Sequence, residues 1–230
     1  MSLERVEVAG DPPVRGTLHV AAGADGLVLT HGAGGNRDTP LLVAVAEAFA
    51  ARGGSVLRCD LPFRQLRKSG APSPSGAARD RAGLRAALDV LGRRARGRLF
   101  LGGHSYGGRQ ASMLLAEDAS LARALLLQSY PLHPPGRPEA LRTGHLRELR
   151  TPTLFVHGTT DPFATADELE QARALISAPT ALVSITAGHD LGWSSRRRDA
   201  TLPERIAAAL LDLADRSGGP APSPQRARRS

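Results

Sequence analysis

The feature that most limits how this chain can fold is the run Leu99-Phe100-Leu101-Gly102-Gly103-His104-Ser105-Tyr106-Gly107-Gly108-Arg109, where a short apolar strand passes through a G-x-S-x-G turn into a helical pattern. With 25 glycines among 230 residues the pentapeptide alone arises easily by chance, so the signal lies in the flanking strand and helix. In that setting Ser105 sits on a sharp strand-to-helix corner, and its hydroxyl projects from the top of a sheet. Gly103 and Gly107 let neighbouring backbone pass without a side-chain clash.

The rest of the chain alternates strand and helix signals, the pattern of a mostly parallel sheet covered on both faces. Residues 5–8 and 16–21 read as an antiparallel lead-in around a turn at Asp11-Pro12-Pro13. The run Gly26 to His31 is a buried strand that ends in the glycine-rich turn His31-Gly32-Ala33-Gly34-Gly35. A helix follows, with Thr39 as cap, Pro40 at its first position and Leu41, Leu42, Val45 and Phe49 on one face; Gly53 stops it. Residues 55–59 form a strand leading to Asp60-Leu61-Pro62-Phe63 and a loop to about Ser75. A helix then carries Leu84, Leu88 and Leu91 on one stripe. After Ser105 the expected order is a helix with Ala111, Leu114 and Leu115, a strand over 122–127, and a proline-rich surface loop. Next come one helix within 139–149, a strand over 153–157, and a helix capped by Thr165 and Glu168 that carries Leu169, Ala172 and Ile176. The last elements are a strand over 181–186 and a helix with Ile206, Leu210 and Leu213 on the core side. The expected organisation is a single α/β domain over 1–215 with a disordered basic tail over 216–230.

The net charge of +8 invites comparison with nucleic-acid-binding proteins. Four of the arginines, Arg216, Arg226, Arg228 and Arg229, lie in the Ser-, Gly-, Pro- and Ala-rich tail, and Lys68 is the only lysine. That distribution reads as compositional bias rather than a binding surface, so no nucleic-acid partner is expected. Cys59 is the only cysteine, which excludes an intramolecular disulfide and a cysteine-based zinc cluster; it reads as a packed core thiol. Met1-Ser2-Leu3-Glu4-Arg5 does not open a basic-then-apolar leader, and no stretch approaches a membrane span. A cytoplasmic location is the expectation.

A nucleophilic serine needs a base for its proton, an acid to fix the imidazole, and donors for the oxyanion. Ser105, Asp161 and His189 each follow directly after an expected strand, in the order Ser, acid, His. The other place for the acid offers only Gln128, Ser129 and Tyr130. Backbone N–H groups of Tyr106 and Ala33 are the candidate oxyanion donors. Gly32, Arg109, Tyr130 and His133 are candidate pocket residues. Each has a plainer reading: Asp161 before Pro162 capping a turn, His189 as a surface histidine, the glycine-rich turns as tight connections, and Arg109 as a structural arginine near the helix start.

On these motifs the chain resembles the α/β-hydrolase superfamily. The pieces are His31 to Gly35 with Pro40-Leu41-Leu42, Gly102 to Arg109, Tyr130-Pro131-Leu132 with Pro135-Gly136, Leu154 to Gly158 with Asp161, and Gly188-His189. Within the superfamily it is similar to the small dienelactone-hydrolase-like group that includes testis-expressed protein 30 and the hydrolase-like subunit 3 of the NSL acetyltransferase complex. The resemblance implies a three-layer fold and a Ser105, Asp161, His189 triad with no metal or organic cofactor. Dienelactone hydrolases proper use a cysteine nucleophile where this chain has Ser105. The short connection between the strands after Ser105 and before Asp161 leaves room for at most a minimal cap, and so for an open site suited to small or exposed acyl groups. The function expected is hydrolysis of a small-molecule carboxylic ester or thioester; acyl transfer to an alcohol or amine would use the same groups. The alternative is a protein-interaction module that keeps the fold without turnover.

Overall fold

The strands are apolar on both sides, and that property organises the molecule. The computed structural model describes residues 2–134, 136–194 and 198–218. It contains eight strands, β1 (Ser2–Val8), β2 (Val14–Val20), β3 (Gly26–Thr30), β4 (Ser55–Cys59), β5 (Leu99–His104), β6 (Ala124–Gln128), β7 (Thr153–Gly158) and β8 (Thr180–Ile185). They form one sheet in the order β1-β2-β4-β3-β5-β6-β7-β8. The lead-in strands β1 and β2 pair antiparallel, and every pair from β4 to β8 is parallel.

Six α-helices accompany them: α1 (Pro40–Ala51), α2 (Pro62–Leu66), α3 (Ala77–Gly92), α4 (Tyr106–Glu117), α5 (Ala166–Arg173) and α6 (Leu202–Arg216). Alternate strand residues supply two cores. Val28, Leu57, Leu101, Leu125, Leu127 and Phe155 pack with Leu84, Leu88, Leu114 and Leu115 from α3 and α4. Leu27, Leu29, Val56, Phe100, Leu126 and Leu154 pack on the other face with Val45 and Phe49 of α1 and Ile206 and Leu210 of α6. A strand buried on both faces reads as continuous hydrophobicity because parallel sheets are covered by helices on each side.

The order reverses around β3. The chain leaves β3 for β4 through α1 and returns through α3 to β5 on the opposite side, so the carboxyl ends of β3 and β5 are neighbours, with Thr30 paired to Gly103. Such a reversal opens a crevice beyond the strand ends.

Local expectations met competing forces in four places. Thr39 precedes α1, but its hydroxyl donates to the Asn36 carbonyl (2.8 Å) instead of capping the helix. Residues 62–66, read as loop, form α2; five residues are too few to show a period. The region 139–149 holds only a 3₁₀ turn, Leu146–Glu148, because its backbone is spent elsewhere, as where Arg142 N–H donates to the Leu132 carbonyl (2.7 Å). The proline-rich segment is not wholly at the surface, since Tyr130, Leu132 and His133 are buried. The capping box of Thr165 and Glu168 is present at α5, which ends at Arg173, before Ile176. Arg216 closes α6, and the expected tail lies outside the described residues from 219 onward. Among the described residues no helix is long and apolar enough to cross a membrane.

Burial holds His19, His104 and His145 at a pKa of about 4, with the Arg58 charge also lowering His19. Between pH 6.5 and 4 the unfolded chain therefore binds protons that the folded chain does not, and stability falls as pH falls through that window. Calorimetry should show Tm dropping by roughly 5 °C or more from pH 7 to 4.5. Asp80, raised by burial, acts in the opposite sense, so the histidine contribution is isolated by His19→Gln, which should flatten the slope.

Candidate active site

Ser105 stands at φ 50° and ψ −116°, a backbone conformation that L residues adopt only when the surroundings enforce it, at a cost of about 1–3 kcal/mol. The enforcement is close backbone packing. A Cβ on Gly103 would lie 2.6 Å from the Gly107 carbonyl carbon, and one on Gly107 would strike the His31 carbonyl. The Ser105 N–H is anchored to the Gln128 carbonyl on β6 (2.8 Å). The hydroxyl is thereby aimed beyond the sheet edge at the first turn of α4.

His189 lies four residues beyond β8 and Asp161 three beyond β7. The loops carrying them are joined through the Thr159 N–H to the Ile185 carbonyl (2.8 Å) and the Thr160 N–H to the Ala187 carbonyl (3.0 Å). His189 Nε2 is 2.8 Å from Ser105 Oγ, and His189 Nδ1 is 2.8 Å from Asp161 Oδ2. The Asp161 side chain is fully buried, and its other oxygen accepts the Phe163 N–H (2.9 Å). The Phe163 ring lies 4.2 Å from the imidazole, centroid to centroid. On the far side His104, kept neutral by burial, donates from Nε2 to the His189 carbonyl (3.0 Å). His189 is therefore contacted on three sides, Leu191 just after it is buried, and Asp190 accepts the Gly192 and Ser194 N–H groups (3.0 Å each).

The remaining candidates divide. Gly32 and Ala33 border Ser105 across the cleft, and a Cβ on Gly32 would lie 3.3 Å from the Ser105 Cβ. Tyr106 is the first residue of α4, where a helix leaves its N–H groups unpaired. Arg109 lines the cleft. Tyr130 and His133 do not border it: the Tyr130 hydroxyl donates to the Arg142 carbonyl (2.9 Å), and His133 faces the Pro134 carbonyl and Glu168. The cleft has a volume of about 830 Å³. Its floor is one face of α4, with Tyr106, Arg109, Gln110 and Met113 at i, i+3, i+4 and i+7. Ala71 to Pro74 form the opposite wall. Among the described residues no group of three His, Cys, Asp or Glu side chains is placed to hold a metal ion.

The element that braces this site, α2, is too short to leave a periodic signal. The Phe63 N–H donates to Asp80 (3.0 Å), whose other oxygen accepts the Tyr106 hydroxyl (2.8 Å). The Phe63 ring packs against both His31 and Tyr106, at 5.6 Å each. Arg64, itself buried, donates to the carbonyls of Ala33 (2.6 Å), Gly35 (2.9 Å), Gly70 (3.2 Å) and Arg67 (3.3 Å). Drawing the Ala33 and Gly35 carbonyls toward Arg64 fixes the orientation of the peptide planes between β3 and α1.

Residues 23–216 match the alpha/beta hydrolase domain family. The chain belongs to the α/β-hydrolase family. Solved structures agree on the fold. Dienelactone hydrolase from Anabaena variabilis ATCC 29413 superposes with a TM-score of 0.72 at 22% identity, covering 92% of this chain and 97% of that one. An alpha-beta serine hydrolase homologue from Coxiella burnetii gives 0.73 at 17% identity, covering 91% and 98%. Est1E from Butyrivibrio proteoclasticus gives 0.71 at 15%, covering 92% and 99%.

Arg64→Lys keeps the charge but cannot bridge four carbonyls from one planar group. The expected result is a fall in kcat for hydrolysis of about 10- to 100-fold with KM within a few-fold of wild type. A drop in Tm with kcat intact would instead make Arg64 purely structural.

Proposed function

We propose that this α/β-hydrolase is a serine hydrolase that cleaves a carboxylic ester or thioester through an acyl-enzyme on Ser105. The observation that carries the reading is the continuous chain from Ser105 Oγ to His189 Nε2 and from His189 Nδ1 to Asp161 Oδ2, each link 2.8 Å. His189 Nε2 takes the Ser105 proton as Oγ attacks the acyl carbon, and Asp161 holds Nδ1–H so that Nε2 is the free acceptor. The oxyanion is received by the Tyr106 and Ala33 N–H groups, dipoles that do not have to reorient when charge develops. The imidazolium returns its proton to the departing alkoxide or thiolate. Water, deprotonated by the same imidazole, then attacks the acyl-enzyme and releases the acid while the proton passes back to Ser105.

Burial of Asp161 with two donors supports the orienting role, because a carboxylate so held keeps the imidazole in one tautomer. Among the described residues, 129–152 contain a single helical element, the 3₁₀ turn Leu146–Glu148. That leaves the acyl carbon reachable from solvent and favours short or exposed acyl groups over long buried chains.

A fluorophosphonate probe should label the wild-type protein at Ser105 and leave Ser105→Ala unlabelled in intact-mass measurements. Asp161→Asn should lower kcat on short p-nitrophenyl esters by about 10⁴-fold through the wrong imidazole tautomer. Equal labelling of wild type and Ser105→Ala, or no turnover across that ester panel, would overturn the proposal in favour of an interaction module.

A further inference from the structure

The catalytic cleft contains two cations that the fold leaves without an anion. Arg109 follows Ser105 by four residues on α4, and Arg142 projects from the connection between β6 and β7; both line the cleft that holds Ser105 and His189. Several other arginines pair with a carboxylate, Arg37 with Asp60, Arg58 with Asp38, Arg81 with Glu117, Arg85 with Asp118 and Arg98 with Asp25, and the buried Arg64 is met by four backbone carbonyls. Among the described residues neither Arg109 nor Arg142 has a carboxylate within ion-pair distance or a side-chain hydrogen bond. Arg109 Nε is buried and unpartnered. The acid on the neighbouring α3, Asp80, is already committed to the Phe63 N–H and the Tyr106 hydroxyl.

The two charges also act on one another and on their surroundings. Burial, and then the Arg109 charge, lowers the Arg142 pKa, and His145 beside them is held neutral by burial and by the same Arg109 charge. Like charges gathered in a partly desolvated place are unfavourable unless something of opposite sign joins them. The fold nevertheless anchors the backbone of both. The fully buried Tyr130 donates its hydroxyl to the Arg142 carbonyl (2.9 Å), and Ser112 donates to the Arg109 carbonyl (2.9 Å) while contacting His145 Nε2 (2.7 Å). Anchored through their backbones, half-buried and unmatched, the two have the character of a binding group rather than of a solvated surface.

We propose that Arg109 and Arg142 seat an anionic group of the substrate, so that the ester or thioester cleaved at Ser105 carries a carboxylate or a phosphate on its acyl portion. The inference rests on the hydrolase reading above. Planar guanidinium groups suit either oxyanion through paired N–H donors. Four residues along α4 separate Arg109 from Ser105 by about 6 Å of helix rise, so a spacer of a few atoms fits between the reacting carbonyl and the anion.

The test compares p-nitrophenyl hydrogen glutarate and p-nitrophenyl 3-phosphonooxypropanoate with neutral p-nitrophenyl methyl glutarate. Wild type should favour at least one anionic ester by about 10-fold or more in kcat/KM, with the preference shrinking as salt rises. Whichever anion is preferred identifies the source. Arg109→Gln and Arg142→Gln should each reduce kcat/KM on the preferred anionic ester at least about 10-fold more than on the neutral one, mainly through KM. Arg216→Gln, which removes a charge far from the cleft, controls for net charge. Robust hydrolysis of all three esters without anion preference, or equal losses on neutral and anionic esters, would overturn the seat and leave the hydrolase reading standing. If no ester is turned over, calorimetry of Ser105→Ala with glutarate and with inorganic phosphate decides separately. Binding abolished by Arg142→Gln supports the seat, and absence of binding by either anion overturns it.

Discussion

The site depends on one strained residue. Ser105 adopts a positive φ only because the backbone of β5, the start of α4 and the turn after β3 approach more closely than side chains allow, with glycines at 103 and 107 making the approach feasible. Relaxing that corner would turn the hydroxyl away from His189, tilt the first peptide of α4 and displace the Tyr106 N–H together. The directions of the Ser105 hydroxyl and of the Tyr106 N–H are therefore a single geometric variable, and the apolar packing of α4 on the sheet supplies the energy that holds it.

Around that corner the fold divides the work. The carboxyl ends of β7 and β8 deliver Asp161 and His189, and hydrogen bonds between their loops fix the spacing of the two. The turn after β3 has no such strand partner and is braced from outside by α2, where Arg64 holds the Ala33 and Gly35 carbonyls and Phe63 links His31 to Tyr106. A five-residue helix thus braces both the turn after β3 and the start of α4, although none of its side chains contacts Ser105 in the hydrogen-bond network.

What could be read from the chain follows from where the information is local. Strands buried on both faces are continuous apolar runs, so the parallel sheet was legible, and residues immediately beyond strand ends were legible as a group at one edge. Ser105, Asp161 and His189 needed only chain order and strand ends to be placed together. Arg64 meets carbonyls, and Arg142 a cavity, tens of residues away in the chain, and such contacts leave no periodic trace. Tyr130 and His133 illustrate the reverse error: near the right strand end in sequence, they turn inward because the buried hydroxyl of Tyr130 finds the Arg142 carbonyl and His133 packs against α5.

The open roof and the unmatched arginines are linked by physical necessity. A hydrolase with a large cap gains selectivity by enclosing an acyl chain in apolar surface, where each buried methylene contributes about 0.8 kcal/mol. Here, among the described residues, 129–152 add one 3₁₀ turn, Leu146–Glu148, and no long cap element, and Arg109 and Arg142 stand among the residues that line the cleft. Charge remains effective across an open cleft because the low-dielectric walls of the sheet and α4 strengthen it on one side. Arg109 stands one helical turn from Ser105, so on the proposed reading an anion drawn to Arg109 would be positioned by the same helix that sets the direction of the Ser105 hydroxyl.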